Sequence, residues 1–215
     1  MKKPKRILAV SDIHGCTNKL VNVLDKAKYA PGEDLLVLLG DYIDRGPQSY
    51  ETMQLVKYLV ASGAIALLGN HEDMAMMAAK HEPGGLGLWL RNGGRETIKS
   101  YARNNAVISD DLEFLESLRL FYETEDYIFV HAGLDPIWQE SSKTDRSVAL
   151  WIRKEWHECN YIGRPVVFGH TPIKQVTTWP SGNRIAIDTG AVFYGKLSCL
   201  ELPSKTVYEV GGSYE

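Results

Sequence analysis

Leu35-Leu36-Val37-Leu38-Leu39-Gly40-Asp41-Tyr42-Ile43-Asp44-Arg45-Gly46 is the stretch on which the fold turns. An unbroken apolar run that stops at a glycine reads as a strand buried on both faces, because a half-exposed strand would alternate. Two aspartates and an arginine then follow, which no packing argument asks for beside such a strand. The same grammar recurs along the chain. Ile7–Val10 leads into Ser11-Asp12-Ile13-His14-Gly15, and residues 64–68 lead into Gly69-Asn70-His71-Glu72. Residues 127–130 precede His131-Ala132-Gly133, and residues 165–168 precede Gly169-His170-Thr171.

Helical patterns separate the first of these runs. Leu20, Val23, Leu24 and Ala27 recur at helical spacing, with Thr17 or Asn18 as the cap, and further helices are predicted over about 49–60 and 72–80. Strands that alternate with helices imply a parallel or mixed sheet covered on both faces. In such sheets the carboxyl ends of the strands share one edge, where ligands bind. Asp12, His14, Asp41, Asn70, His131 and His170 are therefore expected to meet there. Two carboxylates, three imidazoles and an amide oxygen without a thiolate suit Mn, Fe or Zn better than copper(I) or an iron–sulfur cluster. Asp12 and His14 are expected to face one side through strand alternation. Each piece alone is weak, and Gly-Asn-His-Glu by itself reads as a helix cap. The conjunction decides, since four of the six histidines follow apolar runs.

Residues 73–125 look different: helical and loop-like, broken by Pro83-Gly84-Gly85-Leu86-Gly87 and by Asn92-Gly93-Gly94. They are read as an insertion over the active site within a single domain spanning 1–215. One helix is expected near 146–159. Hairpins pair 175–178 with 184–188 and 197–202 with 206–210, and 211–215 are expected to fray.

A net charge of -3 and 24% charged residues give no reason to expect a nucleic acid polymer or an anionic membrane as partner. The basic start Lys2-Lys3-Pro4-Lys5-Arg6 is followed by too short an apolar run for a signal peptide, and no stretch nears the ~18 apolar residues of a membrane span. Cys16, Cys159 and Cys199 are odd in number and widely spaced, which fits a reduced, cytoplasmic setting without a zinc finger. His81 and His157 read as surface or packing residues. Trp89, Trp138 and Trp179 could line a base pocket, although core packing is the commoner use of an aromatic.

In the order and wording of these motifs the chain resembles the calcineurin-like metallophosphoesterases, phosphoprotein phosphatase branch. Trp89-Leu90-Arg91-Asn92-Gly93-Gly94 and the compact size are similar to the bacterial and phage Ser/Thr phosphatases and symmetrical dinucleoside tetraphosphatases. The resemblance implies a four-layer α/β/β/α sandwich of mixed sheets flanked by helices. It implies two divalent ions, manganese first, with Fe, Zn, Ni or Co as alternatives. Asp12, His14 and Asp41 would hold one ion, and Asp41 would bridge to a second held by Asn70, His131 and His170. His71 would be the general acid and Asp44 its orienting partner. Arg45 would grip the phosphate, with Arg153, in competition with Arg146, as the second phosphate arginine. The implied reaction is in-line attack on a phosphate monoester by a metal-bridged hydroxide. The expected substrate is a phosphoprotein, at Ser/Thr or with dual specificity, and the enzyme is expected to be a monomer or weak oligomer. A symmetrical bis(5'-nucleosyl)-tetraphosphatase and a catalytically inactive binding scaffold are the rival readings.

Overall fold

The computed structural model describes residues 4–212, and in it the apolar runs become strands of two sheets. In chain order the elements are β1 (Ile7–Val10), α1 (Thr17–Lys26), β2 (Leu35–Leu38), α2 (Ser49–Ala61), β3 (Ile65–Ala66) and α3 (Asn70–Ala79). Then come α4 (Gly85–Arg91), α5 (Gly94–Arg103), α6 (Leu112–Ser117), β4 (Phe121–Glu123) and β5 (Ile128–Val130). The chain continues through α7 (Arg146–Trp151), α8 (Lys154–Glu158), β6 (Val166–Phe168), β7 (Thr177–Thr178), β8 (Arg184–Ala186), β9 (Lys196–Leu202) and β10 (Val207–Gly211).

One sheet has the order β10-β9-β1-β2-β3 and the other β4-β5-β6-β8-β7. Both are mixed. β1 pairs in parallel with β2 and antiparallel with β9, while β5, β6 and β8 run parallel between two antiparallel edges.

Strand alternation sorts the core into layers. Ala9 and Val37 of the first sheet share a buried cluster with Phe129, Val167 and Ile185 of the second, so the two sheets pack face to face. Leu8, Val10, Leu36 and Leu38 point the other way, onto Leu20, Val23, Met53 and Val56 of α1 and α2. Ile128, Val130, Val166 and Phe168 likewise meet Ala149 and Trp156 of α7 and α8. The result is the expected α/β/β/α sandwich, in which central strands such as β1, β2, β5 and β6 are apolar on both faces because both faces are covered.

Four details depart from the sequence reading. Neither Thr17 nor Asn18 caps α1; Cys16 holds that position, and the Thr17 hydroxyl instead bonds the Thr52 hydroxyl at 2.7 Å. α3 begins at Asn70, two residues early, because Glu72 caps Gly69 from within the helix. The helix expected near 146–159 is broken into α7 and α8 at Ile152-Arg153. Residues 73–125 also include β4, which joins the second sheet beside β5. The tail expected to fray is held as far as Gly211 at the end of β10, while 213–215, Lys2 and Lys3 lie outside the described residues.

Among the described residues no helix is long and apolar enough to cross a membrane. Cys16, Cys159 and Cys199 are free. His81 is exposed, and Trp138 stands 56% exposed beside Lys143. His157 and Trp179 pack together against Phe168.

Candidate metal centre and active site

The strand ends deliver their polar residues to one edge, but a turn rather than a strand aims them. Asp12, His14, Asp41, Asp44, Arg45 and His170 all have φ between 47° and 72°. That left-handed conformation costs a residue with a Cβ roughly 1–2 kcal/mol, and its concentration here marks a built site. Asp12 and His14 therefore converge through the turn after β1, not through the strand alternation expected from the sequence, and Ile13 between them is buried in the core.

Backbone contacts lock the turns to each other. His14 N donates to Asp41 O at 2.8 Å, Gly169 N to His131 O at 2.8 Å, and His170 N to the Asp12 carboxylate at 2.9 Å. The glycines permit this closeness. A Cβ on Gly69 would fall 2.3 Å from Asp41 N, and one on Gly169 would fall 2.2 Å from Asp12 Oδ2.

Glu72, which the sequence reading passed over, is the keystone of the first loop. Its carboxylate accepts N–H groups from Asp41 (2.8 Å), Tyr42 (2.8 Å), Ile43 (3.3 Å) and Gly69 (3.1 Å).

The donor atoms lie as ligands do. His14 Nδ1–H donates to Ile43 O and His131 Nδ1–H to Leu39 O, both at 2.8 Å, which leaves each Nε2 lone pair facing inward. His131 Nε2 is 3.0 Å from Asn70 Oδ1, 3.2 Å from His170 Nδ1 and 3.5 Å from Asp41 Oδ1. His14 Nε2 is 3.5 Å from the other Asp41 oxygen.

Burial pushes the His14, His131 and His170 imidazoles down, towards the neutral form a ligand needs. Burial and the Asp12 charge push the Asp41 carboxyl well up. Lone pairs and carboxylates crowded this closely repel one another unless cations lie among them, so the residues fit divalent metal, with Asp41 common to two donor groups. His14, Asp41 and His71 form one buried donor group, and Asp41, His131 and His170 form another. His71 thus stands in the first group where the resemblance places Asp12. The Asp12 carboxylate is turned towards Ser11 Oγ and His170 N.

Beside this centre, His71 Nδ1 meets Asp44 at 2.6 Å, and its Nε2 is buried without a partner 3.9 Å from Asp41 Oδ2. Asp44 is fully buried. It also accepts Trp89 Nε1–H at 3.0 Å and the Thr97 hydroxyl at 2.5 Å, so two helices of the 73–125 segment brace it. Trp89 is therefore a support for Asp44 and not a base-binding wall. Burial pushes the Asp44 carboxyl up to about 7, against the pull of Thr97 and Trp89, and pushes the His71 imidazole well down.

Arg45 reaches His14 Nε2 at 2.7 Å. Arg153, exposed to the site by the break between α7 and α8, donates to His170 O at 2.8 Å. Arg146 is occupied elsewhere, in a 2.5 Å ion pair with Asp73.

Asp188 was also missed. It is 2% exposed, close enough for Asp12 and Asp41 to help burial push its carboxyl up, and it accepts Gly190 N at 2.9 Å. The signal was present, because Ile185-Ala186-Ile187 followed by Asp188-Thr189-Gly190 repeats the apolar-run grammar of the other strand ends.

Comparison with known proteins gives the family. The calcineurin-like phosphoesterase family model matches residues 5–195. Serine/threonine-protein phosphatase 1 of Salmonella typhimurium is 34% identical over 209 residues, covering 92% of each chain. The asymmetrical bis(5'-nucleosyl)-tetraphosphatase PrpE of Bacillus velezensis is 29% identical, covering 95% of this chain and 92% of its own. The solved structure of a candidate diadenosine tetraphosphatase superposes with a TM-score of 0.79 at 22% identity, over 100% of this chain and 96% of that one. The strand-end ligand cluster, the sandwich that assembles it and the family match over residues 5–195 lead to one conclusion: this chain belongs to the calcineurin-like phosphoesterases and is a metal-dependent phosphoric ester hydrolase.

Proposed function

We propose that the chain is a cytoplasmic protein phosphatase that releases phosphate from phosphoserine and phosphothreonine, with phosphotyrosine as a secondary substrate, and that it works as a monomer or weak oligomer. The observation that carries the reading is the buried His71–Asp44 pair at 2.6 Å, which ends on an unpartnered Nε2 beside Asp41. An alkoxide leaving group such as that of serine needs a proton, and a histidine held by a carboxylate delivers one from the opposite nitrogen.

Asp12, His14 and Asp41 would hold one divalent ion, and Asp41, Asn70, His131 and His170 the second, with manganese the first choice and Fe, Zn, Ni or Co the alternatives. Bound there, such a pair supplies Lewis-acid activation of water and neutralises charge on the phosphate. Asp44 keeps the His71 Nδ1–H in place and fixes which ring nitrogen faces Asp41. Arg45 and Arg153 take the phosphate oxygens with their planar forks. Thr97 and Trp89 hold Asp44 against rotation.

Similarity to serine/threonine-protein phosphatase 1 over 92% of both chains supports a phosphoprotein substrate. A second reading, cleavage of a dinucleoside tetraphosphate, is favoured by the equally complete match to a tetraphosphatase. Incubation of the manganese-loaded protein with a phosphoserine peptide, a phosphotyrosine peptide and diadenosine tetraphosphate separates them. Faster phosphate release from the phosphoserine peptide supports the proposal, and preferential nucleotide cleavage replaces it with the second reading. Inactivity on all three, and on p-nitrophenyl phosphate with Mn, Ni, Co or Zn, would leave a binding scaffold.

A further inference from the structure

Besides its 2.7 Å contact with His14 Nε2, Arg45 is placed by three separate pieces of chain. Its own backbone is left-handed, with φ 68°. Its N–H donates to Gly93 O at 3.3 Å, and a Cβ on Gly93 would stand 2.8 Å from Arg45 Cγ, so the turn between α4 and α5 lies close along the stem of the side chain. At the far end, the guanidinium carbon lies 5.1 Å from the centre of the Phe193 ring.

Phe193 sits on a loop with little freedom to drift. Gly190 O accepts the N–H groups of Phe193, Tyr194 and Gly195 at 3.0, 2.7 and 3.1 Å. Lys19 Nζ donates to Ala191 O and Gly195 O, both at 2.7 Å, and the buried Asp188 holds Gly190 N. The ring nevertheless stays 48% exposed. A half-exposed ring on so tightly held a loop contributes less to the core than a buried one would, and the guanidinium lies within the reach of its π face.

We propose that Phe193 is a positioning residue for Arg45. Its ring sets the plane of the guanidinium at the mouth of the metal centre, so that the fork is aimed before phosphate arrives and less ordering is required on binding. This rests on the reading of Arg45 as a phosphate ligand.

The test uses the manganese-loaded protein and two probes, inorganic phosphate for binding by calorimetry and p-nitrophenyl phosphate for kinetics. Phe193→Leu keeps apolar bulk and removes the π face, whereas Phe193→Trp keeps a π face. F193L is expected to raise the phosphate Kd and the KM about three- to tenfold with kcat nearly unchanged, and F193W to restore both. In an Arg45→Ala background, F193L should cost nothing further. An equal loss in the Arg45→Ala background, or F193W behaving like F193L, overturns the proposal while leaving Arg45 its role. If Arg45→Ala leaves phosphate affinity unchanged, the reading of Arg45 fails and this inference fails with it.

Discussion

Glu72→Gln is the substitution that bears hardest on this account of the site. Glu72 is fully buried, and its two oxygens share four backbone N–H donors, from Asp41 and Gly69 on one and Tyr42 and Ile43 on the other. Two influences oppose each other at this carboxyl. Burial and the Asp41 charge push it up to about 8, while the backbone donors of Asp41 and Tyr42 pull it down. With every neighbouring hydrogen aimed at its oxygens, a carboxyl proton would find no acceptor, so the ionised form is the one this geometry holds.

Glutamine keeps one acceptor and turns an NH2 group against the other two N–H groups. A hydrogen bond to a charged group contributes about 1.5–3 kcal/mol, so losing two costs about 3–6 kcal/mol. That is a large part of a total stability of about 5–15 kcal/mol. The expected result in urea unfolding is a matching fall in ΔG, and in calorimetry a melting temperature lower by about 6–24 °C. Manganese content should fall as well, because the same N–H groups hold Asp41 in its left-handed turn (φ 56°). Glu116→Gln, which removes a half-exposed ion pair with Lys80, is the control and should cost within about 0.5 kcal/mol. An E72Q protein with unchanged urea midpoint and full metal content would refute the clamp and show that the carboxyl is protonated.

Three further outcomes are expected. His71→Asn should retain metal and lose about 10²–10⁴ in kcat on a phosphoserine peptide but far less on p-nitrophenyl phosphate, whose leaving group needs no proton; equal losses on both would remove His71 as the acid. Asp41→Asn should raise the melting temperature of metal-free protein, since burial and Asp12 make that charge costly, and should abolish the rise that added manganese causes by mass action; persistence of that rise would place the metals elsewhere. Asp34→Asn should cost about 1.5–3 kcal/mol in urea at pH 7, because Arg6 donates twice to that carboxylate at 3.0 and 3.1 Å. Burial pushes the Asp34 carboxyl up, but the hydrogen bonds from Arg6 and Ala30 outweigh it and leave it below its ordinary value. The stabilisation is therefore present above about pH 4 and lost as pH falls through the depressed value, so the difference between wild type and variant should close in acid. A difference that persists there would show that the ion pair is not its source.

A sheet covered on both faces, with polar residues at its strand ends, was legible in the sequence by itself, while the α/β/β/α sandwich came from the resemblance that those motifs carry. Apolar runs short enough to be strands, with helical patterns between them, leave few ways to bury both faces of a sheet, and each run carried its Asp, Asn or His at its end. Those are properties of neighbours along the chain, and periodicity reads them directly. Only the tertiary structure decided how the donors are aimed and what braces them. Left-handed turns at Asp12 and His14 replaced the strand alternation expected from spacing, and Asp41 and His170 are turned the same way. Thr97 and Trp89 reached Asp44 from a segment that reads only as a helical, loop-like insertion, and Glu72, one more acid in a first helical turn, became the acceptor that holds Asp41. The break at Ile152-Arg153, inside what spacing reads as one helix, brought Arg153 to His170 while Arg146 went to Asp73. Such roles depend on which hydrogen-bond partner ends within 3 Å after folding, and that follows from packing between distant segments. A local pattern of residue types carries no record of it.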